Sequence, residues 1–440
     1  MTQADPSKRI TSAQWLTLIA AFLGWMFDGV EMGIFPLCAR PALLEMMGPD
    51  AGPKVGEWMG IVTAMFLVGA AAGGLLFGWL GDRIGRVKAM TAAVLVYATF
   101  SALGAFAQEP WQLAVPRLLA SFGMGGEWAL GVALVMEAWP SSSRPLMAGI
   151  IGAACNLGFL LIALVGLGLA SFMASTGVVL HAVLPASWAD ALMAHDGWRL
   201  LMFLGALPAL FSVVMVLFVP ESEKWKDASK SGPPVQITEI FAPNMRVRLT
   251  QATVLAAVAL IGTWCTVQQI PPWANKMAAA QGLQPLVTAS YAQIASGIGA
   301  CIGCVLGALA AQWGNRRWTY FGMSLLSLIA SAYLFRMPMV FGNEFLVCVF
   351  LVGGITAAFF GWLPLYLPEL FPTRIRATAQ GFAFNAGRIV AAAGALISGQ
   401  LLHVFNEDYQ RMAAAISLIY AIGLIAIWFC PETKGRELPA

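Results

Sequence analysis

Charge is what this sequence has least of. Only 11% of its 440 residues are Asp, Glu, Lys or Arg, while 59% are hydrophobic. Soluble domains carry charge on about a quarter of their positions, so a water-soluble globular protein is excluded. Histidine is scarcer still: His181, His195 and His403 fall in loops or at the ends of apolar stretches, which weakens any reading as an intramembrane metalloenzyme. The seven cysteines lie in or beside apolar segments. Cys301 and Cys304 stand one helical turn apart with no second pair or histidine nearby, and close helix packing explains them better than half a metal site. The spans hold no pairing of nucleophile and base. An enzyme is not expected, nor a cofactor, a metal or a nucleic-acid partner.

What is present is a series of apolar windows. A membrane-spanning helix needs roughly 20 mainly apolar residues, and such windows fall at 14–38, 57–80, 88–107, 111–137, 147–172 and 199–219. A polar stretch, Glu221 to Arg248, contains Pro233 and Pro234; further windows follow at 249–271, 286–311, 318–336, 344–366, 377–402 and 410–430. The expectation is an all-α membrane protein of twelve spans: a six-helix bundle over 1–220, a cytoplasmic linker over 221–248, and a second bundle over 249–440. No cleaved leader is read before the first span. If the N-terminus is inside, one face carries Arg40, Lys54, Arg199, Lys276, Arg336 and Arg411; Arg117 and Arg388 lie within the membrane, and the rest of the 25 Lys and Arg are on the other face. Positive charge marks the cytoplasm, so both termini are expected there, in a bacterial inner or plasma membrane.

The two halves repeat each other. Glu137, Pro140, Arg144 and Gly149 are answered by Glu369, Pro372, Arg376 and Gly381 at a constant offset of 232 residues. Gly78, Gly85 and Arg86 are matched with Gly307, Gly314 and Asn315, a register that sets Ala311 and Gln312 against Asp82 and Arg83. Pro220-Glu221-Ser222 and Pro431-Glu432-Thr433 close the two sets. Paired halves with a polar site between them near the midplane are one architecture for alternating access.

These residues also carry a resemblance. The stretch from Gly78 to Lys88, reading GWLGDRIGRVK, resembles the loop signature of the major facilitator superfamily; Arg117 followed by Gly123, Gly125 and Gly126 resembles its fourth-span motif. The endings at Pro220 and Pro431 are similar to those of its sugar porters. Phe27-Asp28-Gly29-Val30-Glu31 resembles the first-span motif of proton symporters for sialate, aromatic acids and lactate. The resemblance implies a proton-coupled transporter, with Asp82, Arg83, Arg86, Glu137, Arg144, Glu369 and Arg376 forming a cytoplasmic gate around Gly78 and Gly85.

Ionisable side chains within a bilayer are costly and mark function by default. Here they are Asp28, Glu31, Arg117, Glu127 and Arg388. Asp28 and Glu31 are three residues apart, hence on one helical face, and two acids so close resist ionising together. One of them is suited to carry a proton, with Arg117 as its partner; by the resemblance, the coupling acid falls on Glu31. Glu127 is either a second protonation site or a counter-charge for Arg388. Arg388 corresponds to Asn156 under the repeat, and a cavity-facing guanidinium is suited to a carboxylate. Asn385, Gln268, Gln269, Trp264 and Trp362 complete the candidate substrate site. Sugar porters have a glutamine where this chain has Gly152 and an aromatic residue where it has Arg388, which favours an anion. The expected partners are therefore a small organic anion, protons and the bilayer, served by a monomer. A sugar or polyol symporter, a proton-driven exporter and a transport-dead sensor stay open.

Overall fold

The structure is a computed structural model that describes residues 11–48, 52–230, 236–283, 285–406 and 408–439. The polar start of the chain and the Pro233-Pro234 part of the linker lie outside them. Among the described residues there is helix and no strand, as a bilayer requires of a chain that must satisfy its own backbone polar groups.

The first set of helices is α1 (Ser12–Met47), α2 (Gly52–Ile84), α3 (Arg86–Gly104), α4 (Pro110–Ala138), α5 (Arg144–Leu167), α6 (Leu169–Val183) and α7 (Ala186–Leu217). A short α8 (Glu223–Lys230) leads to the second set, α9 (Pro243–Cys265), α10 (Ile270–Ala280), α11 (Pro285–Trp313), α12 (Arg316–Arg336), α13 (Asn343–Leu370), α14 (Arg376–Val404), α15 (Tyr409–Ile416) and α16 (Ile419–Ala426). Eleven stretches among the described residues are long and apolar enough to cross a membrane; α7, 32 residues long, occupies the place of the expected sixth span.

Three departures from the apolar windows have local causes. The helices overrun the windows because helical hydrogen bonding need not stop where the apolar run does; α1 alone has 36 residues, about 54 Å at 1.5 Å each, against a hydrocarbon core of about 30 Å. Between α5 and α7 stands an additional helix, α6, after a break at Gly168. The expected seventh span is interrupted: α9 stops at Cys265, a single 3₁₀ turn covers Val267–Gln269, and α10 resumes with Pro271 and Pro272 in its first turn, where proline's missing N–H is harmless.

The two sets pack alike. α2 lies along α4 as α11 lies along α13, and the sets meet where α14 packs on α2 and α5 packs on α11. The paired endings show why the repeat needs them. Glu221 accepts hydrogen bonds from the N–H groups of Arg86 and Val87 at 3.0 and 3.1 Å, and Glu432 accepts from those of Arg316 and Arg317 at 3.1 and 3.2 Å. Each glutamate thus satisfies the free donors and positive dipole end of the helix after the loop, α3 or α12. Gly85 permits this approach: its φ is +113°, and a side chain there would meet the Glu221 carboxylate at 2.2 Å.

Candidate functional site

A cavity of about 40 Å³ lies between the sets, lined by α1, α5, α9, α13, α14 and the 3₁₀ turn that interrupts α9 and α10. α14 supplies Arg388, which is 5% exposed. Its Nη1 donates to Asn385 Oδ1 at 3.1 Å, and its guanidinium lies 5.1 Å from the Phe384 ring and 5.8 Å from that of Trp25. Both rings are within cation–π range. Asp28 on α1 is the acid whose charge acts on it, although no hydrogen bond joins the two among the described residues.

Asp28 is wholly buried, Glu127 nearly so, and the two carboxyls are neighbours. None of their four oxygens finds a hydrogen-bond donor among the described residues. Ionised carboxylates are acceptors only, so a proton held between them is what would join this pair. The sequence set Asp28 against Glu31; in the fold Glu127 and Arg388 act on its charge more strongly than Glu31 does. Glu31 accepts instead from Arg117 Nη1 and from Ser101 Oγ, the latter at 3.1 Å. Arg117 is held in turn between the Phe35 and Phe66 rings, 4.7 and 5.2 Å away.

Of the expected substrate residues, Asn156, Gln268 and Trp264 line the cavity with Arg388. Asn385 lies behind Arg388, in the seam between the sets. Gln269 is outside the lining because the 3₁₀ turn directs Gln268 inward in its place. Trp362 is fully buried elsewhere, stacked on Tyr366 at 4.4 Å and packed against Tyr320 at 4.8 Å. The sequence reading missed Trp25, Phe159 and Phe384, which also line the cavity. Phe384 is one turn before Arg388 on the same face, a signal that helical spacing offered.

The cluster around Asp82 and Glu137 is a buried network. Arg86 pairs with Asp82 and, at 3.1 Å, with Glu137; Arg376 reaches the same Glu137 oxygen at 3.1 Å from the other set. Asp82 also accepts from Ala377 N at 3.2 Å and Thr378 N at 2.7 Å, at the start of α14. The two sets are therefore tied together on this side. Arg144 and Arg376 play equivalent local parts, donating to the carbonyls of Met136 and Pro368. Two expectations need correction. Arg316, not Asn315, is the counterpart of Arg86: it pairs with Glu369 at 2.8 Å and donates to Ala311 as Arg86 donates to Gly81. The register therefore shifts by one residue and sets exposed Gln312 opposite buried Asp82. Arg83 stands apart, exposed over the Trp79 ring at 5.1 Å.

Residues 14–395 match the Major Facilitator Superfamily. The chain belongs to this superfamily of membrane transporters. It is 28% identical over 422 residues to the probable 4-methylmuconolactone transporter of Cupriavidus pinatubonensis, covering 95% of this chain and 91% of that protein. It is 26% identical over 432 residues to the putative niacin/nicotinamide transporter NiaP of Bacillus subtilis, with 95% and 96% covered. Among solved structures, the facilitator fold matches the proton:xylose symporter XylE with a TM-score of 0.74 at 16% identity, over 97% of this chain and 98% of that one.

Proposed function

We propose that this facilitator imports a small organic anion, a carboxylate, together with protons, by alternating access. It would do so as a monomer in the bacterial inner membrane, with both termini in the cytoplasm. The observation that carries the reading is Arg388 lining the cavity, with two buried carboxyls, Asp28 and Glu127, of which Asp28 acts on its charge. While Asp28 is ionised it neutralises Arg388, and an arriving carboxylate has to compete with it. A proton taken up by the Asp28 and Glu127 pair leaves the guanidinium free to bind the substrate. Proton and anion thus favour each other's binding through one residue, which is the reciprocal coupling that symport requires. The relatives named for 4-methylmuconolactone and niacin transport support a small ring compound as cargo.

The deciding measurement is substrate-induced alkalinisation outside right-side-out vesicles, screened over monocarboxylates, sugar acids and aromatic acids. With substrate added outside, symport carries protons inward with it and raises the external pH, whereas an exporter driven in reverse exchanges inward substrate for outward protons and lowers it. Arg388→Ala should abolish acid binding; unchanged affinity in that variant would remove the basis of this reading, and competition by sugars but not acids would replace it with polyol symport.

A further inference from the structure

Beyond the Arg388 compartment a second void of about 30 Å³ continues the cavity toward α11 and α13. The two share Asn156, Phe159, Thr263, Gln268 and Phe360, and the second adds Gln293, Ser296 and Thr356. Their chemistry differs. The first holds a guanidinium among aromatic rings; the lining of the second is amides, hydroxyls and apolar groups, with no charge among the described residues. Gln268 and Gln293 have no hydrogen-bond partner there among the described residues. Thr263 and Thr356 donate their hydroxyl protons to their own helices, at 2.9 and 2.7 Å, and keep lone pairs to accept with. An amide both donates and accepts, so the second compartment can satisfy a neutral polar group of either kind.

Resting on the anion-symport reading, we propose that the substrate is a monocarboxylate with an uncharged hydrogen-bonding group at its far end. Its carboxylate lies on Arg388, its flat middle among Trp25, Phe159 and Phe384, and its hydroxyl, carbonyl or amide end against Gln268 and Gln293. A dicarboxylate is disfavoured because its second charge would be desolvated with no cation to meet it. A bare apolar acid is disfavoured because it leaves the two amides unpaired, and a site built to hydrogen-bond rejects a ligand that lacks the group. Both voids are small enough to hold only water, so this conformation is contracted around the site and must widen to admit such a molecule.

The test is tryptophan-fluorescence titration of the purified protein with matched six-membered-ring compounds. These are benzoate, 4-hydroxybenzoate, 4-carbamoylbenzoate, terephthalate, and 4-hydroxybenzamide as the uncharged control. The hydroxyl- and amide-bearing acids should bind about tenfold tighter than benzoate, the worth of roughly one net hydrogen bond, and terephthalate at least about tenfold weaker than they do. Gln293→Leu should bring the ratio of 4-hydroxybenzoate to benzoate affinity toward one. Gln293→Arg should turn the preference toward terephthalate, a gain that a folding defect cannot mimic. Equal binding of all three monoacids, tighter binding of terephthalate by the native chain, or a preference that survives both substitutions would overturn the proposal. Binding of 4-hydroxybenzamide as tight as that of 4-hydroxybenzoate would overturn the anion reading as well.

Discussion

Asn385 holds Arg388 with one end of its amide and the opposite set of helices with the other. Its Oδ1 accepts from Arg388 at 3.1 Å while its Nδ2 donates to the Gly125 carbonyl on α4 at 3.3 Å. One residue therefore links the cavity's cation to the seam between the two sets. Its neighbours on α14 strengthen that seam: Gln380 donates to the Ala129 carbonyl at 2.6 Å, and Phe384 stacks on Trp128 at 4.0 Å. Glu127 lies in sequence between the Gly125 and Trp128 contacts.

Two substitutions probe this link. Asn385→Ala removes the support of Arg388, and the loss of one net hydrogen bond should weaken acid binding about fivefold. Gly74→Ala acts on the seam through the same residue, because a methyl group there would meet Asn385 Nδ2 at 1.7 Å. The α2 and α14 contact then cannot close, and a cysteine placed at Thr378 should be alkylated from the cytoplasm at least about tenfold faster. Native alkylation and transport rates in Gly74→Ala would show that the seam does not close through this contact.

Asp82 ties α2 to the start of α14 through hydrogen bonds to a carboxylate, each worth about 1.5–3 kcal/mol. Asp82→Asn keeps the shape but loses the charge that complements the helix dipole. The side of the seam that Asp82 closes should open, with the open-to-closed ratio rising about tenfold or more in a cysteine-accessibility assay. Gln312→Ala, at the equivalent exposed position, should leave that ratio where it is. Equal effects of the two would contradict the asymmetry of the network.

The fold and the members of the Glu137 network were legible because they rest on local signals. Apolar length gives the helices, and a repeated glutamate and arginine give the paired loops. The register of Arg316 was not legible, because sequence matching aligned glycines while the fold aligns the guanidinium with Glu369. The site was legible in its charges and obscure in their partners. Asp28 and Glu31 share a helix face, but α4 brings Arg117 to one and Glu127 to the other, ten residues apart on that helix. Nothing along α1 encodes that division. Trp362 failed as a candidate for a related reason: tryptophan at the right depth is common in this chain, and only packing decides which ring meets a cavity.

The separation of the acids makes a prediction for proton flow. Glu31 is bonded to Arg117 and Ser101, away from the Arg388 cavity lining. Glu31→Gln should preserve acid binding and exchange but lower substrate-linked proton uptake by about tenfold or more. Asp28→Asn should instead tighten acid binding, because it removes the charge that competes for Arg388. Paired titrations and pH-electrode recordings on the two variants check both. Weaker acid binding in Asp28→Asn would mean that Asp28 does not compete with the substrate.

Glu45, at the far end of α1 beyond the membrane span, offers a pH-dependent test of the fold. It accepts from Trp198 Nε1 at 2.6 Å and from Arg199 Nη1 at 2.7 Å. Burial works against its charge, yet these hydrogen bonds and the Arg199 charge outweigh burial and hold the carboxyl below its ordinary value. A carboxyl held low in the folded state stabilises that state fully above the unfolded value, about 4.3 for glutamate. That contribution is lost as the pH falls through the lower folded value. The Tm of the native chain should therefore exceed that of Glu45→Gln by a constant margin above about pH 5, and the margin should shrink as the pH drops below about 4. Taking the difference between the two chains cancels the other carboxyls. A margin that stays constant down to strong acid would show that the contact stabilises through packing, with no part for the charge.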